Sequence, residues 1–360
     1  MSGFPKPLAG KRVIDLSLLY PGPATAATLR TFGAEVIKVE PPKGDPTARL
    51  FPETYRQLNR GKQIVTLDLK SDEGKAELAQ LVAEADVLVE SFRPGVLTRL
   101  GIGPDWLHAH QPRLVIVSIS GFGATGPYRH QPAHDLSVLG VAGYFGLPSE
   151  LDPKIVRPNI RLADALTVNA ASLAAFAAIV EADRTGKGQI VDTSIFDATA
   201  AACLTMSLSR GDPDAAPVAQ RQVMADSAIY ACRDGKHMAI ATLEDHFWAE
   251  FLRLATEEDH PLRSERFATR RGRDGNKVDV AALLTELFAG RDREDWILIF
   301  GSGRVPVVPV WEGGEALQDD HLKRRGAVAQ WGQGEEAFSY PSFPAVFNGV
   351  RDHDVAGTDT

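Results

Sequence analysis

The stretch RVIDLSLLYPGP, residues 12–23, decides how the chain folds. Its first five residues form a short apolar run that is typical of a buried strand. The PGP sequence that follows cannot continue a strand, because proline lacks the amide donor that a sheet needs. Residues 24–32 can then form a helix that ends at Gly33, where a glycine is expected. The stretch therefore predicts one strand–turn–helix unit.

The segments downstream repeat this alternation of strand and helix. Further apolar strands are predicted at Glu35–Glu40, Gln63–Leu69, Asp86–Val89, Leu114–Ser118 and Ile190–Ile195. Helical patterns separate them, including one that opens after Ser71, a plausible N-cap, and the long run Asp164–Arg184. Strands that alternate with helices in this way form a mostly parallel, doubly wound sheet. The sequence therefore predicts a Rossmann-like α/β domain.

The pattern changes after Arg210. Residues 211–225 lack apolar periodicity and are typical of a linker. Two β-like runs, 228–232 and 237–241, then flank a DG hairpin signal, and helical segments follow. We predict a large α/β domain over residues 1–210, a linker over 211–225, a small domain over 226–320 and a C-terminal segment, 321–360, that returns to the large domain.

Composition limits the classes of function. A chain of 360 residues with 44% hydrophobic and 24% charged residues is typical of a soluble enzyme that can hold two domains. The net charge of −8 argues against a nucleic-acid partner, because no basic stripe exists to neutralise a phosphate backbone. The uncharged run 165–180 is short for a membrane span, and residues 1–10 do not form an apolar signal segment. No membrane association is therefore expected.

The two cysteines bear on the compartment. Cys203 and Cys232 lie in apolar contexts and have no metal-binding spacing. Such cysteines are typical of reduced core residues, so a cytoplasmic location is expected.

A histidine and a carboxylate lie side by side at His134 and Asp135. Asp164 opens the long apolar run, and Glu244 lies in another apolar phrase, MAIATLEDHFW. A neutral imidazole and a carboxylate are the side chains best suited to moving protons near pH 7. The chemical interpretation competes with a simpler one, in which each residue is a helix cap or a solvated side chain.

The glycine-rich loop GFGATGP, residues 121–127, matches the spacing of a dinucleotide-binding fingerprint. However, Pro127 follows directly, no clean helix comes next, and no acidic residue ends a strand about 20 residues on. The loop is better interpreted as a mobile glycine loop than as a nicotinamide or flavin site.

Several longer motifs carry a family likeness. They are RVIDLSLLYPGP, GAEVIKVEPPKGD, NRGKQIVTLDLKSDEG, ADVLVESFRPGVLTRLG, GFGATGP, AHD, RLADA, TGKGQIVDTSIFDA and VPVVPV. In this order they resemble the family III CoA-transferase and α-methylacyl-CoA racemase superfamily, the CaiB/BaiF group, over nearly the whole chain. The resemblance implies a CoA-binding large α/β domain, a small α+β domain and an interlocked homodimer. Its active sites would lie between the large domain of one chain and the small domain of the other.

Within that superfamily the sequence is most similar to the racemase branch at the PGP turn, at His134-Asp135 and around Glu244. The resemblance implies a catalytic set in which His134, oriented by Glu244, serves one face of the substrate α-carbon and Asp164 serves the other. Their roles swap with substrate handedness. Backbone N–H groups at the start of the Asp164 helix are expected to meet the enolate charge. No metal or redox cofactor is expected, since the CoA thioester is the substrate.

The family pattern also implies the CoA contacts. They fall on Lys62, Leu67, Asp68, Leu69, Lys70, Phe92, Arg93, Val96, Arg99, Asp135 and Leu136. Basic side chains would hold the phosphates, and Phe92 and the leucines would pack on adenine. The chain departs from the racemase pattern at Ala133, usually glycine, at Val138, usually tyrosine, and in KVEPPKGD, which lacks an arginine that contacts CoA.

Two other functions remain open. The first is a CoA-transferase in which Asp164 is the nucleophile that forms an acyl anhydride and then a CoA thioester. Transferases usually carry an aromatic residue where this chain has His134, which favours the racemase. The second is a non-catalytic acyl-CoA-binding homologue, which is disfavoured because all three acid/base positions are filled.

Overall fold

The computed structural model describes residues 3–147, 155–207, 223–301, 303–334 and 337–352. The chain divides into two compact units. The first comprises Met1–Tyr144, Arg157–Cys203 and His321–Thr360, and the second comprises Phe145–Val156 and Leu204–Asp320. Residues 211–222 of the predicted linker lie outside the described residues.

The first unit is built on a six-stranded parallel sheet. Its strands are β1 Arg12–Asp15, β2 Glu35–Glu40, β3 Gln63–Thr66, β4 Val87–Glu90, β5 Val115–Ser120 and β6 Ile190–Ser194. They are ordered β3-β2-β1-β4-β5-β6, and every neighbouring pair is parallel. The predicted doubly wound sheet is therefore confirmed. The strand order reverses between β1 and β4, and in such sheets ligands bind beyond the carboxyl ends of the strands at this point.

Helices connect and cover these strands. They are α1 Pro21–Thr31, α2 Pro46–Leu50, α3 Pro52–Asn59, α4 Asp72–Ala83, α5 Val96–Arg99, α6 Pro104–His110, α7 Asp135–Val141, α8 Leu162–Thr185 and α9 Ile195–Ser207. Two predicted helix ends are confirmed. Gly33 follows α1 at φ +102°, and the Ser71 hydroxyl oxygen accepts a hydrogen bond from the Gly74 N–H at 3.0 Å at the start of α4.

Neighbouring residues of a strand point to opposite faces of the sheet, and helices cover both faces. One apolar cluster contains Val13 and Val115 with alanines of α8, and the other contains Ile14 and Ile116 with Leu78 of α4. By length and composition α8 could cross a membrane. Its alanine face is part of the first cluster, as predicted for a buried helix.

The second unit contains a three-stranded antiparallel sheet with helices. Its strands are β7 Ser227–Ala231, β8 His237–Ala241 and β9 Val307–Val310, in that order, and its helices are α10 Asp245–Ala255, α11 Arg270–Gly275, α12 Lys277–Ala289, α13 Arg293–Phe300 and α14 Glu315–Gln318. The predicted DG hairpin joins β7 and β8, with Gly235 at φ +76°. Its core is aromatic, with Trp248, Phe251, Phe288 and Trp296 buried.

The C-terminal segment adds a helix and two small hairpins. They are α15 Asp320–Arg324, β10 Val328–Trp331 paired with β11 Phe338–Pro341, and β12 Val346–Phe347 paired with β13 Val350–Arg351. The Phe343 ring lies 4.9 Å from the Phe32 ring and 6.3 Å from the Phe4 ring. Both partners belong to the first unit, so this segment extends the core of that unit.

Candidate active site

A cleft lies at the carboxyl edge of the parallel sheet. Its wall includes Leu18–Pro21 after β1, Ser91–Pro94 after β4, and Ser120 at the end of β5. The cavity has a volume of about 590 Å³, within the size range of small-molecule and cofactor sites. Because the strand order reverses between β1 and β4, this is the position where a doubly wound sheet is expected to bind a ligand.

The starts of α7 and α8 meet in this cleft. His134, Asp135 and Leu136 line it from the start of α7, and Asp164 lines it from the first turn of α8. The Asp135 Oδ1 accepts a hydrogen bond from the Asp164 N–H at 3.1 Å. His134 is exposed and precedes α7 as its N-cap residue, with its own N–H donating to the Ser137 Oγ at 3.0 Å. The predicted histidine and aspartate thus share one cavity wall.

The same contact bears on how an enolate could be stabilised. Backbone N–H groups at the start of α8 were expected to meet the enolate charge, and Asp135 already accepts a hydrogen bond from one of them, the Asp164 N–H. That N–H is therefore not free for a substrate oxygen in this arrangement.

Asp164 has an altered acidity. The residue is only 5% exposed, and burial raises the pKa of its carboxyl group to about 6. The negative charge of Asp135 contributes to this raised pKa, while Arg161, whose Nη1 lies 3.9 Å from the Asp164 Oδ2, works in the opposite direction. A carboxyl group that titrates near 6 can both accept and donate a proton close to neutral pH.

A buried ion pair supports the loop after β1. The Lys62 ammonium donates to the Asp15 Oδ2 at 2.8 Å, to the Pro23 carbonyl oxygen at 2.9 Å and to the Asn59 Oδ1 at 3.0 Å. Burial works to raise the pKa of Asp15, but the Lys62 and Lys38 ammonium groups hold it below its usual value. An ammonium group has three N–H donors, and all three are used here. All three donors of Lys62 have partners inside the protein in this structure, and its predicted contact with CoA stays a prediction.

The backbone of this loop has an unusual conformation. Leu19 has φ +68°, in the left-handed region that costs a non-glycine residue about 1–2 kcal/mol. The buried Lys38 ammonium donates to the Ser17 carbonyl oxygen at 2.8 Å and pairs with Asp45 at 3.1 Å. Two buried cations therefore support the loop that places Leu19 and Tyr20 in the cleft wall.

The remaining predicted CoA residues fall into two groups. Phe92, Arg93, Asp135 and Leu136 line the cavity. The others lie outside its lining, and they are Leu67, Asp68, Leu69 and Lys70 between β3 and α4, and Val96 and Arg99 at the two ends of α5. Leu67 is 6% exposed within a core cluster, so it has little surface to offer an adenine ring. Asp68, Lys70 and Arg99 are exposed.

The glycine loop lies beside the histidine. A Cβ atom built on Gly121 would lie 2.3 Å from the Cβ of Ala133, so glycine is required for the end of β5 to approach the residue before His134. Gly123 follows at φ +82°, and its N–H donates to the Ser120 Oγ at 2.9 Å. The next helix begins only at Asp135, so the loop lacks the strand–turn–helix geometry of a dinucleotide site.

Sequence reasoning missed three arginines in the cavity wall, namely Arg129, Arg157 and Arg161. The Arg161 guanidinium packs on two aromatic rings of the cavity wall, at 4.9 Å from the Phe51 ring and 5.7 Å from the Tyr20 ring. A signal existed in the motif RLADA, because residues three apart on a helix are neighbours and Arg161 precedes Asp164 by three.

Glu244 belongs to the second unit, where it is the exposed N-cap residue of α10. Its carbonyl oxygen accepts a hydrogen bond from the Trp248 N–H at 3.0 Å. The predicted contact of Glu244 with His134 stays a prediction. Across the described ranges, no three His, Cys, Asp or Glu side chains cluster as metal ligands would.

Comparison with known proteins agrees with this architecture. The sequence pattern of CoA-transferase family III matches residues 8–355. The succinyl-CoA–D-citramalate CoA-transferase of Chloroflexus aurantiacus is 31% identical, over 90% of this chain and 83% of that protein. The human alpha-methylacyl-CoA racemase is 30% identical, over 89% of this chain and 82% of that protein. A crystal structure of Rv3272 from Mycobacterium tuberculosis superposes with a TM-score of 0.84 at 26% identity, over 98% of this chain and 95% of that one.

Proposed function

Because the chain belongs to CoA-transferase family III, we propose that it is a 2-methylacyl-CoA racemase that inverts the α-carbon of an acyl-CoA thioester. The observation that carries the proposal is the Asp135–Asp164 hydrogen bond, which joins the histidine-bearing end of α7 to α8 in one cavity. The resemblance to racemases at His134-Asp135 favours this activity over the other activities of the family.

The mechanism requires two proton-transfer groups. A thioester acidifies its α-hydrogen because the resulting enolate places charge on the carbonyl oxygen. For one enantiomer the Asp164 carboxylate removes the α-proton, and the protonated His134 imidazole returns a proton to the opposite face. For the other enantiomer the roles exchange. The pKa of Asp164, about 6, suits this double role, since neither form of the carboxyl group is strongly disfavoured near neutral pH.

The homodimer implied by the resemblance would complete the site. In this proposal Glu244 of a second copy orients His134 across the dimer. Leu173 and Val180, on the long helix α8, are 74% and 67% exposed, and such apolar surface is consistent with an interface. Light scattering coupled to size exclusion tests the dimer, and a monomer at micromolar concentration would contradict it.

Ligand placement follows from the composition of the cleft. Leu19, Leu50, Phe51 and Leu136 are large apolar residues that remain more than a third exposed in its wall, and they suit an acyl chain. Arg93, beside Phe92, is the basic residue among the predicted CoA contacts that lines the cleft, and it suits a phosphate. The proposed reaction moves only protons and therefore needs no cofactor beyond the CoA thioester itself.

A second candidate is a CoA-transferase. Here an Asp164 oxygen attacks the thioester carbonyl carbon, the bond to sulfur breaks, and CoA leaves as the thiolate. The CoA thiolate then attacks the Asp164 carbonyl carbon of this anhydride, which releases the donor acid as its carboxylate and leaves CoA bound to Asp164 as a thioester. The acceptor carboxylate displaces CoA to form a second anhydride, and the thiolate attacks the acceptor carbonyl carbon, which gives the new acyl-CoA and frees the Asp164 carboxylate. The observation that favours this candidate is the similarity to the citramalate CoA-transferase, at an identity equal within one percentage point to that of the racemase.

One experiment separates the two functions. The protein is incubated in deuterated water with one enantiomer of a 2-methylacyl-CoA, with and without a free carboxylic acid. The racemase predicts deuterium at the α-carbon and loss of optical purity without any acid, and His134→Gln should slow both by about 10²–10⁴-fold. Transfer of CoA to the free acid that leaves the α-hydrogen in place would contradict the racemase. In that case the His134→Gln variant should transfer at nearly the unaltered rate.

A further inference from the structure

The wall of the cleft carries an excess of positive charge. Four arginines line it, Arg93, Arg129, Arg157 and Arg161, against the two carboxylates Asp135 and Asp164. The whole chain, by contrast, has a net charge of −8. A local excess of this kind raises the concentration of anions in a cleft. The ligand is therefore expected to be anionic along the cleft.

Arg161 lies beside the proposed proton-transfer residue Asp164. Its Nη1 lies 3.9 Å from the Asp164 Oδ2, which is too long for a hydrogen bond. The guanidinium lies over the rings of Phe51 and Tyr20, at 4.9 Å and 5.7 Å from their centroids. Aromatic faces attract a planar guanidinium and leave its N–H edges available for a partner. With 42% of its side chain exposed, Arg161 presents those donors to a ligand in the cleft.

The phosphates of CoA are a poor match for this arginine. If Asp164 works on the substrate α-carbon, the thioester lies beside Asp164, and the long pantetheine arm separates it from the phosphates. Apart from the enolate oxygen of the thioester itself, an anion that reaches Arg161 must then belong to the acyl end of the substrate. A guanidinium edge fits a carboxylate with two parallel hydrogen bonds.

We propose that Arg161 binds a carboxylate on the acyl group, so that the substrate class is an acyl-CoA whose acyl chain ends in a second carboxylate. This inference rests on the proposed function for the position of the thioester. Leu19 and Leu50, both exposed in the cleft wall, provide apolar surface for the methylenes between the two carbonyl carbons. Arg161 is in this proposal the residue that determines acyl specificity.

The test measures binding without turnover. Isothermal titration compares S-pentyl-CoA with its ω-carboxy counterpart of the same carbon count, both of which are unreactive thioethers. The ω-carboxy compound should bind about tenfold more tightly, the effect of one charge-assisted contact. Arg161→Gln should abolish this preference and leave the affinity for S-pentyl-CoA within about twofold. Arg161→Lys should retain part of the preference, since lysine keeps the charge without the planar fork.

Control variants define what each result means. Arg184→Gln, at the exposed far end of α8, should leave both affinities unchanged. Equal affinities for the two compounds in the unaltered protein would overturn the inference. So would an Arg161→Gln variant that weakens both compounds equally, since that pattern belongs to a contact with CoA itself. Binding of free glutarate that depends on Arg161, with no preference between the thioethers, would assign the carboxylate to a separate acid and overturn the acyl-group assignment.

The outcome is independent of the activity assay. If the protein shows no deuterium exchange but still prefers the ω-carboxy thioether, only the racemase proposal is contradicted. Exchange on a 2-methylacyl-CoA together with no carboxylate preference would contradict only the role of Arg161.

Discussion

The Asp135 carboxylate accepts a hydrogen bond from the backbone N–H of Asp164 at 3.1 Å. This contact spans 29 residues of sequence and joins the first turns of α7 and α8. It also places two carboxylates close together, so that the charge of Asp135 adds to burial in raising the pKa of Asp164. The relationship links the position of the proposed base to its acidity, and two predictions follow from it.

Asp135→Asn should shift the pH dependence of proton exchange. Asparagine keeps an oxygen that accepts the Asp164 N–H but removes the negative charge. For the enantiomer whose α-proton Asp164 removes, the exchange rate should rise with pH through about 6 in the unaltered protein. In the variant this rise should move to a pH between 3.8 and about 6, because burial still raises the pKa. The measurement is the pH profile of deuterium incorporation, supported by the carboxyl ¹³C shift of Asp164.

The control for that profile is Asp72→Asn, which removes a fully exposed carboxylate in the first turn of α4. It should leave the profile in place. An Asp135→Asn profile that coincides with that of the unaltered protein would show that the charge of Asp135 does not act on Asp164.

Asp164→Asn should abolish activity and stabilise the fold at neutral pH. Between pH 3.8 and about 6 the folded protein keeps a proton that the unfolded chain has released, so the Asp164 carboxyl lowers stability as pH rises through this window. Above pH 6 the penalty is complete, and its removal should raise the free energy of unfolding by roughly 1–3 kcal/mol. Urea denaturation at pH 7.5 and at pH 4 measures the free energy of unfolding of both proteins. Linkage predicts that the variant gains more stability at pH 7.5 than at pH 4. An equal gain at both pH values would be inconsistent with this explanation.

Gly121→Ala should impair the site through the backbone near His134. The added methyl group would lie 2.3 Å from the Ala133 Cβ, so Ala133 must move and His134 with it. We expect a loss of exchange activity of about tenfold to a hundredfold from this displacement. The double variant Gly121→Ala/Ala133→Gly removes the clash, since the next contact is the Ala133 Cα at an ordinary 3.6 Å. It should recover most of the activity, and a double variant no better than the single one would argue against the steric cause.

Lys62→Met should destabilise the first unit strongly. Removing the ammonium leaves the Asp15 carboxylate buried without its partner, a change that typically costs about 3–5 kcal/mol. The double variant Asp15→Asn/Lys62→Met removes both charges and should recover a large part of that loss. Denaturation midpoints measure both. The control Lys70→Met, at an exposed position, should change stability by only about 0.5 kcal/mol or less. An effect of Lys62→Met that is equally small would contradict a stabilising role of the buried Lys62–Asp15 ion pair.

Local chemistry made much of the fold predictable from the sequence. The apolar runs that became β1 and β2, the serine that caps α4 and the glycine that ends α1 each act within a few residues of chain. The resemblance to a known family also directed attention to His134 and Asp164, which line one cavity. Glu244 is the exception, because its predicted partner lies in the other unit and their contact stays a prediction.

The sequence by itself thus determined the strand–helix alternation, the doubly wound sheet and the identity of the proposed proton-transfer groups. Only the tertiary structure decided that the Lys62 ammonium group bonds to partners inside the protein and that Leu67 is buried. It also decided that the Arg161 guanidinium packs on the Tyr20 and Phe51 rings beside Asp164. The physical reason is the range of the interactions. Secondary-structure propensity and helix capping depend on neighbours in the chain. The burial of a charge and the packing of a guanidinium group on aromatic rings depend on segments that are far apart in the sequence, and Phe51 and Arg161 are more than a hundred residues apart.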